Sequence, residues 1–137
     1  MNKEVFVYPS SNGRWKVSAL IYTPDMGTVV RGVVQLSHGM CEYAGRYEAL
    51  ARALCGAGLV FCANDHLGHG STALLNREKL GYFGPRGSRK FLVEDLELLR
   101  REVAGRYPGV PYFLLGHSMG SFLARIYVRR FGAGLSG

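Results

Sequence analysis

Val110-Pro111-Tyr112-Phe113-Leu114-Leu115-Gly116-His117-Ser118-Met119-Gly120 is the stretch that decides the fold. From Val110 to Leu115 it is a nearly unbroken apolar run, the pattern of a strand covered on both faces of a sheet. Gly116 to Gly120 is a turn, with two glycines around a serine. The residues after it are helical in pattern. Met119, Phe122, Leu123, Ile126 and Tyr127 fall on one side, Arg125, Arg129 and Arg130 fall on another, and Gly132 is placed to cap the end.

Upstream the same alternation repeats. Gly32 to Leu36 reads as a buried strand running into Ser37-His38-Gly39. From Arg46 the period turns helical, with Tyr47, Leu50, Ala51 and Leu54 on one face and the glycines at 56 and 58 ending it. Leu59 to Ala63 is a second apolar strand, stopped by Asn64-Asp65 and followed by the glycine-rich loop Leu67 to Ser71. Ser88 is the expected N-cap of a helix carrying Leu92, Leu96, Leu99 and Val103, which Pro108 terminates. At the start, Val5 to Tyr8 and Lys16 to Tyr22 flank the turn-forming Ser10-Ser11-Asn12-Gly13 and predict an antiparallel hairpin. The fold class is therefore α/β: a mostly parallel sheet built by right-handed crossovers, helices on both faces, and the hairpin appended. No repeat, low-complexity stretch or linker divides residues 1–137.

Composition narrows the function. Among 137 residues, 47 % are hydrophobic and 20 % charged, a globular balance that excludes disordered and fibrous classes. No apolar run approaches the ~18 residues needed to cross a bilayer. Met1-Asn2-Lys3-Glu4 leads into a strand-like stretch, not a signal-peptide core. The net charge of +7 invites a nucleic-acid reading. The basic residues are scattered, with no basic run interleaved with aromatics, so no nucleic-acid partner is expected. Contact with an anionic lipid surface stays open as a peripheral association. Cys41, Cys55 and Cys62 are odd in number and lack CxxC spacing, which predicts free thiols in a reducing, cytoplasmic setting. Cys41 falls in a loop, with nothing nearby in sequence to activate it.

Gly116 to Gly120 matches G-x-S-x-G, a weak pattern alone. Its setting, leaving a buried strand and opening an amphipathic helix, is what a nucleophile elbow requires. Ser118 is then the candidate nucleophile at a helix N-terminus, where the dipole favours developing negative charge. Gly116, His117 and Gly120 shape the turn around it. Acyl transfer needs two donors on the tetrahedral oxyanion. The Met119 N–H, directly after the nucleophile, is one candidate. The Met40 N–H, in the loop Ser37-His38-Gly39-Met40, is the other. His38 and Gly39 are expected to brace that loop, with His38 an unsuitable base because of its direction of exit from the sheet. Asp65, His66 and His69 are chemically plausible metal ligands, but their loop is too rich in glycine and lacks a fourth ligand. Asp65 and His69 are read as a hydrogen-bonded brace beside the elbow, with no metal and no cofactor.

Three stretches in this order resemble the α/β-hydrolase superfamily, and within it the monoacylglycerol lipase/lysophospholipase group of serine aminopeptidase S33-type hydrolases. They are His38 to Tyr47, Asp65 to Ser71, and Gly116 to Ser121. Glu42, Arg46 and Tyr47 carry the likeness to the group, while Tyr43 departs from it where the group has a histidine. The resemblance implies a serine hydrolase of lipid monoesters, cleaving monoacylglycerol or lysophospholipid through an acyl-enzyme on Ser118. A general carboxylesterase or thioesterase, or a non-catalytic truncated hydrolase, are the alternatives. In this fold the triad runs Ser…Asp/Glu…His, yet no Asp, Glu or His follows Ser118. By resemblance, residues 1–137 are the N-terminal portion of one domain, with the lid, later strands, acid and base absent. Such a piece is expected to be nearly inactive alone. Its Val110 to Leu115 strand would be an open apolar edge prone to self-association.

Overall fold

The computed structural model describes residues 1–137. In chain order the elements are β1 (Asn2–Pro9), β2 (Lys16–Thr23), β3 (Gly32–Ser37), α1 (Glu48–Gly56), β4 (Leu59–Asn64), α2 (Gly70–Leu75), α3 (Arg89–Arg106), β5 (Tyr112–Gly116) and α4 (Met119–Phe131). Short 3-10 turns, Ala44–Tyr47 and Gly132–Gly134, precede α1 and follow α4.

The strands form one sheet in the order β1-β2-β4-β3-β5. β3 pairs in parallel with β4 and β5, whereas β2 is antiparallel to both β1 and β4. Register places the site. Leu36 lies opposite both Ala63 and Leu115, and Ser37 lies opposite Gly116. The three parallel strands therefore end level, and the loops after them leave from one edge of the sheet, where α/β folds place their ligands.

Continuous apolar strands follow from cover on both faces. On one face α3 (Leu92, Leu96, Leu99, Val103) and α4 (Leu123, Tyr127) pack on Val33, Val60, Cys62 and Tyr112. On the other, Ala51 and Cys55 of α1 pack on Leu36, Phe61 and Ala63. Successive β4 residues thus feed opposite cores. Two polar groups are built into the larger core. The Gln35 amide donates to Leu96 O (2.9 Å) and accepts from the Tyr112 hydroxyl (2.7 Å). The Glu97 carboxylate of α3 accepts from Arg100, Arg101 and the Tyr127 hydroxyl of α4. Burial pushes this carboxyl up, but the hydrogen bonds from Arg100, Tyr127 and Arg101 outweigh it and hold it at about 2.

Several local expectations are corrected. The loop Leu67 to Ser71 runs into α2, whose six residues are too few to show a period beneath the turn signals of Gly70-Ser71. On α4 only Gly120, Leu123 and Tyr127 are buried, while Phe122 and Ile126 are exposed. Ser88 does precede α3, but it makes no side-chain cap, because its own backbone is already helical (φ −67°, ψ −10°). Gly132 does cap α4, in right-handed geometry with its N–H on Val128 O, and passes into the 3-10 turn. β5 starts at Tyr112, two residues later than expected. Its outer edge is not bare: Ser136 N–H donates to Tyr112 O (2.7 Å) and Leu114 N–H donates to Gly137 O (3.0 Å).

Candidate active site

Ser118 stands between β5 and α4 with φ 50° and ψ −121°, a left-handed conformation that costs a non-glycine residue energy. The surroundings impose it. His117 N–H donates to Ser37 O (3.0 Å), Gly120 N–H to His117 O (2.8 Å) and Ser121 N–H to Ser118 O (2.9 Å). A Cβ on Gly116 would lie 2.7 Å from Ser121 Cα, and one on Gly120 would lie 1.8 Å from Ser37 O. Both glycines are there so that α4 can turn back hard against β3 and β5. The Ser118 side chain is left exposed and caps nothing.

The loop after β3 lies against this elbow. A Cβ on Gly39 would come within 3.1 Å of Ser118 Cβ and 3.3 Å of His117 Nδ1. His38 is fully buried. Its Nε2 accepts from His66 N–H (3.0 Å), so the proton sits on Nδ1 and is donated to Gly39 O (2.7 Å). That bond fixes the Gly39–Met40 peptide from its carbonyl side and turns the Met40 N–H the opposite way. Neither the Met40 nor the Met119 N–H donates to any group of the chain.

Asp65 ties the loop after β4 to its neighbours. Its Oδ1 accepts from Ala44 N–H (2.6 Å) and its Oδ2 from Ser71 N–H (2.6 Å). With both oxygens engaged, Asp65 does not converge with His66 or His69 on a common point. His69 Nδ1 donates to Leu67 O (3.0 Å), which steadies the glycine-rich loop. A cavity of about 570 Å³, walled by Tyr43, His69, Leu74 and Leu80, opens beside the β3 loop, and Ser118 is not among its walls.

Three residues to which the sequence reading gave no part in the hydrolase site also belong here. Glu42 Oε2 accepts from Gly39 N–H (2.8 Å), the Tyr47 hydroxyl (2.7 Å) and His117 Nδ1 (3.0 Å). The available signal was the three-residue step from Gly39 to Glu42, the reach of a carboxylate closing a turn on a backbone N–H. Burial pushes the Glu42 carboxyl up, but donors from Tyr47, His117 and Gly39 outweigh it and hold it at about 2. His66 is the third. It is buried under His38, ring centroids 4.2 Å apart, with Nε2 against Ser37 Oγ (3.2 Å) and Nδ1 without a partner. Burial, and then His38 and His69 beside it, push its pKa well below the ordinary range; burial lowers His38 as well.

These histidines fold neutral, whereas in the unfolded chain they bind protons below pH 6.5. The unfolded state then holds more protons, so stability must fall as pH drops through that value. The melting temperature is expected to decline between about pH 7 and about pH 5, above the range in which Glu42 and Glu97 titrate. A flat profile over that interval would show that the histidines are not held neutral.

The sequence model of the family described as serine aminopeptidase, S33 matches residues 28–137. The chain belongs to that family. Its fold is that of the α/β hydrolases. Among relatives of this S33 chain, a monoacylglycerol lipase from Mycolicibacterium smegmatis is 38 % identical over 113 residues, covering 81 % of this chain and 36 % of that protein. The Homo sapiens monoglyceride lipase is 37 % identical over 101 residues, 69 % of this chain and 29 % of that protein. A thermostable carboxyl esterase from Bacillus coagulans, solved with glycerol, superposes with a TM-score of 0.90 at 42 % identity, over 100 % of this chain and 43 % of that one. The S33 chain thus spans about a third of the length of the curated relatives it matches.

Proposed function

We propose that residues 1–137 are the N-terminal portion of a single α/β-hydrolase domain and carry the nucleophile and oxyanion-binding part of a serine ester hydrolase. The observation behind this reading is the strained Ser118 at the start of α4, flanked by two backbone N–H groups, of Met40 and Met119, that no group of the chain uses. Ser118 Oγ attacks the ester carbonyl. The oxyanion is held by the Met40 and Met119 N–H groups, and a histidine outside these residues takes the hydroxyl proton. The alcohol leaves with that proton, and water releases the acid from the acyl-enzyme. His38, Gly39, Asp65, His69, Gly116, His117 and Gly120 hold the frame, and no metal or cofactor takes part. The substrate is a lipid monoester, monoacylglycerol or lysophospholipid, in keeping with the names of the two lipase relatives.

The Bacillus coagulans carboxyl esterase supports a second reading, a general carboxylesterase. Comparing short-chain with long-chain esters on the full-length protein separates the two. The protein works in the cytoplasm, with peripheral contact to membranes. Residues 1–137 alone turn over almost no ester.

Full-length protein is expected to react with a fluorophosphonate probe, and Ser118→Ala to abolish both labelling and hydrolysis, a loss of roughly 10³-fold or more. Absence of labelling in the wild type would point to a non-catalytic protein, and its persistence in Ser118→Ala would place the reactive nucleophile elsewhere.

A further inference from the structure

We infer that Glu42 is a positioning residue for this site, fixing through one carboxylate oxygen both the β3 loop and the residue preceding Ser118. The inference rests on the hydrolase reading above and deepens it.

The geometry is specific. Oε2 of Glu42 receives Gly39 N–H, the Tyr47 hydroxyl and His117 Nδ1 at 2.8, 2.7 and 3.0 Å. Gly39 N–H belongs to the peptide before Gly39, and Gly39 O, held by His38, belongs to the peptide after it. The glycine is therefore gripped on both flanks, and the Met40 N–H that follows has no freedom to swing. A glycine free on one flank would rotate readily, since it has no Cβ to limit φ. The contact to His117 does the same for the other donor, because His117 and Ser118 lead directly into the Met119 N–H. One partly buried oxygen thus sets the spacing between the two proposed oxyanion donors.

Glu42 is suited to the task by its own surroundings. Its side chain is only 10 % exposed. Tyr47 Oη lies 3.0 Å from His117 Nδ1 as well, so glutamate, tyrosine and histidine form a closed triangle. Arg46 lies 3.6 Å from the second oxygen, Oε1. An ionised carboxylate accepts all three donors at once, whereas an amide would turn two N–H donors into the same cluster. Held ionised down to about 2, the carboxylate keeps its three donors across the whole range in which an esterase works.

Donors pre-set for an oxyanion act on the transition state and leave substrate binding nearly untouched. The test uses the full-length protein and compares wild type, Glu42→Gln and Tyr47→Phe with a 4-nitrophenyl ester, each below its melting temperature. Glu42→Gln is expected to lower kcat about 10- to 100-fold with KM within about twofold. It should also weaken a boronic acid, which mimics the tetrahedral adduct on the nucleophile, by a similar factor. Tyr47→Phe, which removes one donor and leaves the other two, is expected to lower kcat about threefold, again without moving KM. It carries the test alone if Glu42→Gln does not fold.

Two results overturn the inference. One is a folded Glu42→Gln with kcat and boronate affinity within twofold of wild type, or an unchanged kcat in Tyr47→Phe. The other is a loss confined to KM or to melting temperature, which would make Glu42 a structural residue only. Failure of the hydrolase reading is recognised separately, because the wild type would then not take up fluorophosphonate.

Discussion

Gly120→Ala is expected to destabilise the chain by about 4 kcal/mol or more, a large share of the about 5–15 kcal/mol that domains of this kind hold in total. The added methyl carbon would sit 1.8 Å from Ser37 O, 2.4 Å from Ser37 C and 2.7 Å from His38 O. All three are backbone atoms, so no rotamer change relieves the overlap. To admit the methyl, α4 would have to withdraw from the end of β3 by more than an ångström. Leu123 and Tyr127 would lose their packing against the sheet, and the elbow its bond from His117 N–H to Ser37 O. Overpacking in a rigid interior usually costs 1–3 kcal/mol when side chains can adjust, and here they cannot help. Urea denaturation followed by circular dichroism reads the change directly. A midpoint unchanged from wild type would mean that the α4–β3 contact is far softer than these distances imply.

The second large effect belongs to Glu97. Its side chain is 7 % exposed and spans α3 and α4, taking hydrogen bonds from Arg100 on its own helix and from Tyr127 on the next. Glu97→Ala strands an Arg100 side chain that is only 18 % exposed, together with a buried tyrosine hydroxyl. Breaking a buried pair from one side costs about 3–5 kcal/mol, because the remaining charge loses its partner and stays out of water. Arg101, exposed at 67 %, returns to solvent at little cost. The effect also has a pH signature. The folded carboxyl is held at about 2 against an ordinary 4.5, so its contribution is complete above the higher value and is lost as pH falls toward the lower. The gap between wild type and Glu97→Ala, measured in urea at several pH values, is expected to narrow over that interval. A gap that stays constant would refute the assignment.

What could be read from the sequence divides along a physical line. The strands β3, β4 and β5 and the helix α3 were legible because their patterns are local: apolar runs of five or six residues, then leucines at helical spacing. The strand–turn–helix around Ser118 was legible for the same reason. Side-chain partners were not. Glu42 meets His117 across 75 residues of chain, and Glu97 meets Tyr127 across 30; no periodicity encodes either pairing. The outer face of α4 misled for a related reason. Phe122 and Ile126 keep the spacing of a buried face, yet the residues that touch the sheet are Gly120, Leu123 and Tyr127, a face turned partly away from it. Which part of an apolar arc is covered depends on how the neighbouring elements approach, and the arc itself does not record this.

The sheet order has a consequence for how this chain must be made. β3 lies between β4 and β5, and both are later in the chain. As synthesis proceeds from the N-terminus, Gly32–Ser37 leaves the ribosome before either neighbour has emerged. The β1–β2 hairpin can close at once on its own local contacts. Its inner edge then waits for Leu59–Asn64, and the second edge of β3 waits until Tyr112–Gly116. A nascent chain shorter than about that length carries an apolar strand with an unpaired edge, the kind of segment on which chaperones act and at which aggregation begins.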